Sequence, residues 1–272
     1  MEHDDKPLSV AYFRAYQRRV RGARSVVIVG GGAVGVQMAT DLKEIYPDKD
    51  VTLVHSRDRL MPLYHEKMDE ILRARFQELG IRLITGARAV VPDGGFPADA
   101  SGLEVVLQDG RRIAADLVIP ATGQIPNTEF LRDLESRSDT PIVNPQNGFV
   151  HVRPTLQFQD PAYPHLFAAG DIADSGAHKA ARPGMGQAQV VARNVLALIQ
   201  GQAPAETVTI SPPAIHITLG TKKNMVFRNP NPKEGQVEPV VILREDGRED
   251  MNIEGVWERR GVQVSRPEDY HL

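Results

Sequence analysis

Ten residues, VVIVGGGAVG at positions 26–35, restrict the possible folds of this chain more than any others. Four consecutive β-branched residues suit a parallel strand covered on both faces. The glycines that follow have G-x-G-x-x-G spacing at Gly30, Gly32 and Gly35. The first permits a tight strand-to-helix turn, the second lets backbone approach a pyrophosphate, and the third lets helix and strand pack closely. A helix beginning there adds unpaired N–H groups and partial positive charge beneath a phosphate. A purely structural glycine turn is the alternative, and the surrounding pattern argues against it.

That pattern is strand, helix, strand, helix, strand. Ser25–Val29 reads as the first strand, Ala33–Ile45 as a helix and residues 51–55 as a second strand. Met68, Ile71, Leu72, Phe76 and Leu79 mark one apolar stripe of a helix that Gly80 can close, and residues 81–85 give the third strand. The fold class is therefore α/β, a Rossmann-like nucleotide-binding domain with a parallel sheet. Residues 1–20 read as a leading helix, and 92–101, rich in Gly, Pro, Ala and Asp, as a flexible loop. Residues 103–107, the Asp109-Gly110 turn and residues 112–113 form a β-hairpin flap. Another buried strand, DLVIPATG at 116–123, ends in small residues. Then come a short helix at 128–134, a strand at 149–152 and a helix at 185–199. Strand-like runs follow at 214–219, 225–227 and 240–243.

The end of the second strand bears on which dinucleotide is held. A site that prefers NADH, or holds FAD, usually places Asp or Glu there to accept hydrogen bonds from ribose hydroxyls. This chain has His55-Ser56-Arg57. With no carboxylate to repel a 2′-phosphate, and Ser56 and Arg57 available to bind one, NADPH is at least as acceptable as NADH. A His with neighbouring backbone donors can also hold a ribose, and both nucleotides stay open.

Composition removes other chemistries. The 272 residues contain no cysteine, which excludes disulfides, thiolate-ligated zinc, iron–sulfur clusters and a Cys nucleophile. Eight histidines show no paired ligand spacing, so no metal site is expected. No G-x-S-x-G elbow or P-loop lysine occurs, and no catalytic side chain is assigned. Lys and Arg total 32 against 35 Asp and Glu, a formal charge of -3, which favours no nucleic acid. Arg18, Arg19, Arg21 and Arg24 read as a solvated helix face. No apolar stretch spans a bilayer, and residues 1–5 lack a secretion signal, so a cytoplasmic location is the default expectation. Mitochondrial and membrane-associated placements stay open, with Lys222-Lys223 beside Met225 the candidate for a weak lipid contact.

Three segments in order, VVIVGGGAVGVQMATDL, IPATGQIPNT at 119–128 and HLFAAGD at 165–171, resemble the second half of the FAD-dependent pyridine nucleotide oxidoreductases. Within them the chain most resembles the apoptosis-inducing-factor-like NAD(P)H:quinone oxidoreductases, over about residues 22–200. The resemblance implies hydride transfer from NAD(P)H to FAD, then electron transfer to a quinone-like acceptor. By order along the chain, the turn at Gly30 matches the family's nicotinamide-nucleotide fold. Ala121-Thr122-Gly123 resembles the small-residue crossover back to the flavin domain. Gly170-Asp171 is similar to the second FAD motif, in which the aspartate accepts a hydrogen bond from a ribityl hydroxyl; a helix N-cap is the plain alternative for Asp171. Lys179 and Gln187 fall near the expected flavin ring. The implied organisation is a leading helix at 1–21, an NAD(P)H-binding domain at 22–125, the returning part of an FAD domain at 126–204, and a small α+β interface-like part at 205–272. Trp257 and Phe227 read as core.

The pattern departs from the family in three ways. Residues 1–25 are too few for even one βαβ unit of roughly 30 residues, so the expectation is a chain without the first FAD half. Apolar surface along the returning segment is then exposed unless a homodimer or a partner chain covers it. Gln37 stands where the family has Glu beside the nicotinamide, keeping shape but not charge. The absence of a Cys pair removes the disulfide-reductase branch and points to a quinone, oxygen or another acceptor. Two readings follow: an FAD-dependent oxidoreductase, and a shortened nicotinamide-nucleotide-binding module without a competent flavin site.

Overall fold

The computed structural model describes residues 5–97, 102–248 and 252–266. Residues 1–4 of the expected leading helix and 98–101 of the expected loop lie outside the described residues. The chain folds as two compact units, one running to Gly123 and resuming at Ala214, the other Gln124–Pro213.

The first unit opens with α1 (Lys6–Gly22), capped at its start by the Asp5 carboxylate, which accepts from the Leu8 N–H at 2.9 Å. The Lys49 ammonium donates to the carbonyls of Arg21, at 3.0 Å, and Ala23, closing the other end. Then come β1 (Ser25–Val29), α2 (Ala33–Ile45), β2 (Asp50–Val54), α3 (Glu66–Leu79) and β3 (Arg82–Ile84). A hairpin of β4 (Leu103–Val106) and β5 (Arg112–Ala115) leads into β6 (Leu117–Pro120). The parallel sheet has the order β3-β2-β1-β6, with β1 central. Side chains alternate across a strand, so Val26 and Ile28 enter one core with Val36, Leu53, Met68, Leu72 and Phe76. Val27 and Val29 face the other way, into a core shared with Val105 and Leu107 of the hairpin. Both faces are covered, which is why the run at 26–29 is apolar throughout. Gly80 closes α3 in the left-handed region at φ 68, as its position after the apolar stripe predicts.

The same unit takes up the C-terminal strands β9 (Ala214–Thr218), β10 (Asn224–Arg228) and β11 (Val240–Arg244), antiparallel in the order β11-β10-β9. Ile217, Leu219, Met225 and Phe227 join the core that Val26 and Ile28 enter, and Tyr64 meets Phe227 edge-on at 6.0 Å. Buried Arg75 donates from Nε to the Leu219 carbonyl at 2.8 Å and pairs with Glu44. Where sequence reading sets 205–272 apart, the strands from Ala214 onward therefore share the core of the nucleotide unit. A short helix, Ile253–Arg259, escapes sequence reading; it buries no residue, and Trp257 on it is half-buried rather than core.

In the second unit, β7 (Val150–His151) and β8 (Ala173–Asp174) pair in parallel beside a core of Ile142, Val150 and Phe158. Its one long helix, Ala181–Ile199, starts four residues before the expected 185, and the helix expected at 128–134 is a single turn, Glu129–Leu131. The only buried residues of the long helix are polar, Gln187 and Asn194. Met185 and Ile199 on it, and Ile125 before it, remain 69%, 77% and 93% exposed.

Candidate nucleotide site

The chain leaves β1 at Gly30 with φ +123, a conformation that L side chains rarely adopt. A Cβ on Gly30 would strike the Ala121 carbonyl, and one on Gly35 would strike the Gly30 carbonyl. One on Gly31 would come within 2.7 Å of the His55 ring. Protein neighbours thus demand three of the four glycines. Gly32 is different. Its backbone is ordinary extended chain, φ −83 and ψ −174, at the N-cap of α2, and a Cβ there would meet nothing within 4 Å.

The space at Gly32 lies at the start of α2, where the first N–H groups of a helix have no carbonyl of their own. The Val36 N–H reaches the Gly32 carbonyl at 3.0 Å, which leaves Ala33, Val34 and Gly35 ahead of the first helical bond. Val34 is exposed.

Gly31 is fixed at both ends. Its N–H donates to His55 Nδ1 at 3.0 Å, and its carbonyl accepts from the Met61 N–H at 3.0 Å. The segment carrying Met61 is held in turn by Asp69, which accepts from the Leu60 N–H at 2.7 Å and from Arg73 Nε at 2.7 Å. Burial, helped by the charge of Arg57, pushes the His55 imidazole below its ordinary value. With Nδ1 accepting from the Gly31 N–H, the ring carries its proton on Nε2, a buried atom. His55, expected beside a ribose, lies under the glycine turn, with Nδ1 bonded to the Gly31 N–H. Ser56 and Arg57 are exposed. Leu60, Met61 and Asp69 belong to this clasp, and no local pattern in the sequence marks them.

Gln37, expected beside the nicotinamide, donates from Nε2 to Thr218 Oγ1 at 2.8 Å and fastens β9 to α2. Ala121 donates its N–H to the Val29 carbonyl at 2.7 Å and places its carbonyl against Gly30. Thr122 is exposed, and Gly123 ends the unit with φ +103.

In the second unit, Gly170 takes φ +78 and opens the turn Gly170–Ile172. Its N–H donates to Gln187 Oε1 at 2.7 Å, and Gln187 Nε2 donates to Ser175 Oγ at 2.9 Å. Asp171 is exposed; the following helix starts only at Ala181, so Asp171 is not its N-cap. The Lys179 ammonium donates to the Ala173 carbonyl and lies 4.1 Å from the centre of the Phe149 ring. Burial lowers its proton affinity, with Asp174 and then Asp171 opposing. Lys179 and Gln187, expected to face a flavin ring, are thus committed inside their own unit. Among the described residues no group of three His, Asp or Glu side chains could hold a metal.

The sequence matches the pyridine nucleotide-disulphide oxidoreductase family over residues 4–194. The chain belongs to that family. Among curated relatives, Fe-regulated protein 8 of Mycosarcoma maydis is 37% identical over 96% of this chain and 62% of its own length. The FAD-dependent oxidoreductase FVFD30 of Flammulina velutipes is 34% identical over 74% of this chain and 60% of its own. Human ferroptosis suppressor protein 1 is 30% identical, over 60% of this chain and 43% of its own. The chain therefore spans less than two thirds of the length of these relatives. Among solved structures, a family oxidoreductase from Enterococcus faecalis superposes with TM-score 0.61 at 17% identity, covering 80% of this chain and 48% of that one. A water-forming NADH oxidase from Lactobacillus brevis, bound to NADH, gives TM-score 0.59 at 19% identity, covering 83% and 48%. The family's fold, α/β with a parallel sheet, is the one read from the sequence.

Proposed function

We propose that this chain binds a reduced nicotinamide dinucleotide on the turn at residues 30–35. We propose further that it works as the nicotinamide half of an NAD(P)H-dependent flavoprotein oxidoreductase with a quinone-like acceptor. One observation carries the nucleotide site: Gly32 is a glycine that no protein atom requires, at a helix start whose N–H groups lack carbonyl partners. Backbone approach by a diphosphate explains it. In this reading the amides of 33–35 hold the diphosphate, and His55, as a neutral acceptor, keeps the turn in register.

The flavin fits this chain in part. The Asp171 carboxylate, exposed and free of a helix-capping role, suits hydrogen bonds from ribityl hydroxyls. The sequence has no second G-x-G-x-x-G, so these residues offer that contact without a cradle for the flavin diphosphate. A bound flavin would supply the two-electron chemistry that no side chain here performs. A quinone-like acceptor is favoured by the resemblance to ferroptosis suppressor protein.

The commitment of Lys179 and Gln187 to their own unit favours a second reading, a nucleotide-binding module without flavin turnover. One experiment separates them. Purified chain with excess FAD and a soluble quinone is expected to oxidise NADPH, followed by the loss of reduced-nicotinamide absorbance. A flat trace alongside intact calorimetric binding of NADPH supports the module. No binding at all, or binding unchanged in Gly32→Leu, overturns the site itself.

A further inference from the structure

Resting on the reading of residues 30–35 as a dinucleotide turn, we infer that His55 is a positioning residue and that a second proton on its ring excludes the dinucleotide, so that nucleotide affinity falls on the acid side. The ring serves the turn as an acceptor. Its Nδ1 takes the Gly31 N–H at 3.0 Å, and a proton on Nδ1 would set donor against donor.

Neither partner has room to turn away. The His55 backbone is clamped, its N–H donating to the Ile84 carbonyl at 2.8 Å and its carbonyl accepting from the Ala87 N–H at 3.1 Å. Ring atoms Cγ and Cδ2 lie 2.7 and 2.9 Å from where a Cβ of Gly31 would stand, and a methyl of Leu60 lies 2.5 Å from the same point. On the other side of Gly31, Gly30 packs against the Ala121 carbonyl. Gly32 is the open position, since a Cβ there would meet nothing within 4 Å. Once its amide is repelled by the ring, the Gly31 peptide therefore shifts towards Gly32, into the space a diphosphate needs.

The surrounding groups favour the acceptor form. Burial, and then the Arg57 charge, hold the imidazole below its ordinary value, while the Arg59 backbone and Asp69 pull the other way. Asp69 is engaged by the Leu60 N–H and by Arg73 Nε, and Asp58 sits against Gly86. Linkage is reciprocal: a dinucleotide that needs the acceptor expels the proton, and the proton weakens the dinucleotide by the same factor.

The test is calorimetry of the full chain with NADPH from pH 8 down to pH 5, in the parent and in His55→Asn, whose Oδ1 accepts the same N–H without titrating. The ratio of parent to variant affinity cancels the titration of the nucleotide itself. It is expected to be near one at pH 8 and to fall at least about threefold by pH 5, as a single linked proton requires. An NMR titration of the His55 ring in the parent is a second measure, and decides alone if the variant does not fold. Saturating NADPH is expected to move the ring's midpoint to lower pH by at least about half a unit. A ratio that stays at one, a parent affinity that rises towards acid pH, or a midpoint that NADPH leaves in place overturns the inference and leaves the dinucleotide site standing. No binding of NADPH by the parent at pH 8 overturns the reading of the turn.

Discussion

Two glycine turns in this chain are built on opposite principles. At residues 30–35 the turn is locked by backbone: Gly30 and Gly35 pack against carbonyls where no Cβ fits, and Gly31 is bonded at both its amide and its carbonyl. At Gly170 the turn is held by one side chain, with the buried Gln187 bridging the Gly170 N–H and the Ser175 hydroxyl. A turn fixed by main-chain packing keeps its shape without a ligand, whereas a turn hung on one carboxamide depends on that residue. The first is preorganised by its main chain; the second hangs on Gln187 and carries an exposed Asp171.

The sharpest break of this contrast is Gly35→Val. Its side chain must enter the space of the Gly30 carbonyl, so the expected loss exceeds about 4 kcal/mol and abolishes the cooperative urea transition. A soluble variant with the parental midpoint would refute the claim that packing fixes the turn. Gly32→Leu makes the complementary case: about a hundredfold loss of NADPH affinity with the urea midpoint unchanged.

Gln187→Ala should cost less, about 1–3 kcal/mol, because it removes both bonds of the bridge at once. Faster hydrogen exchange at the Gly170 amide would accompany it. Exchange as slow as in the parent would show that the bridge does not hold the turn.

The smallest effect lies behind the first turn, on α2. Gln37 and Glu44 there reach Thr218 and Thr221, and Asp41 stands between them with a buried Oδ1 that has no hydrogen-bond partner among the described residues. Burial, with the neighbouring charge of Glu44, pushes the Asp41 carboxyl up to about 6. A proton held more tightly in the folded state stabilises below the unfolded value, and that benefit is lost as pH rises through about 6. Asp41→Asn should therefore raise stability at pH 7 to 8 by on the order of 1 kcal/mol, after allowance for solvent screening, and have no effect near pH 4. Melting curves across that range decide it. A gain equal at both pH values would assign the effect to packing.

Local patterns carried much of the fold. The run at 26–29 and the glycines behind it announce β1 and α2 with the bounds the structure gives, and the apolar stripe ending at Gly80 announces α3. The place of Gly32 just ahead of α2 was readable as well, from the glycine spacing. The directions of side chains were not. His55 is the natural ribose contact by position, yet it meets Gly31, 24 residues earlier in the chain. Gln37 is the natural nicotinamide contact, yet it meets Thr218, 181 residues later. Lys179 and Gln187 bond to backbone and hydroxyl groups that periodicity does not index.

By itself, the sequence determined that a parallel strand turns sharply into a helix at a place where a phosphate can approach, because strand period, helix period and glycine sterics act over a few residues. The tertiary structure alone decided that the strands from Ala214 onward complete the same core, and that His55 accepts from the Gly31 N–H beneath the turn. Those outcomes depend on burial and hydrogen-bond partners supplied from distant segments, and such partners exist only once the chain has packed.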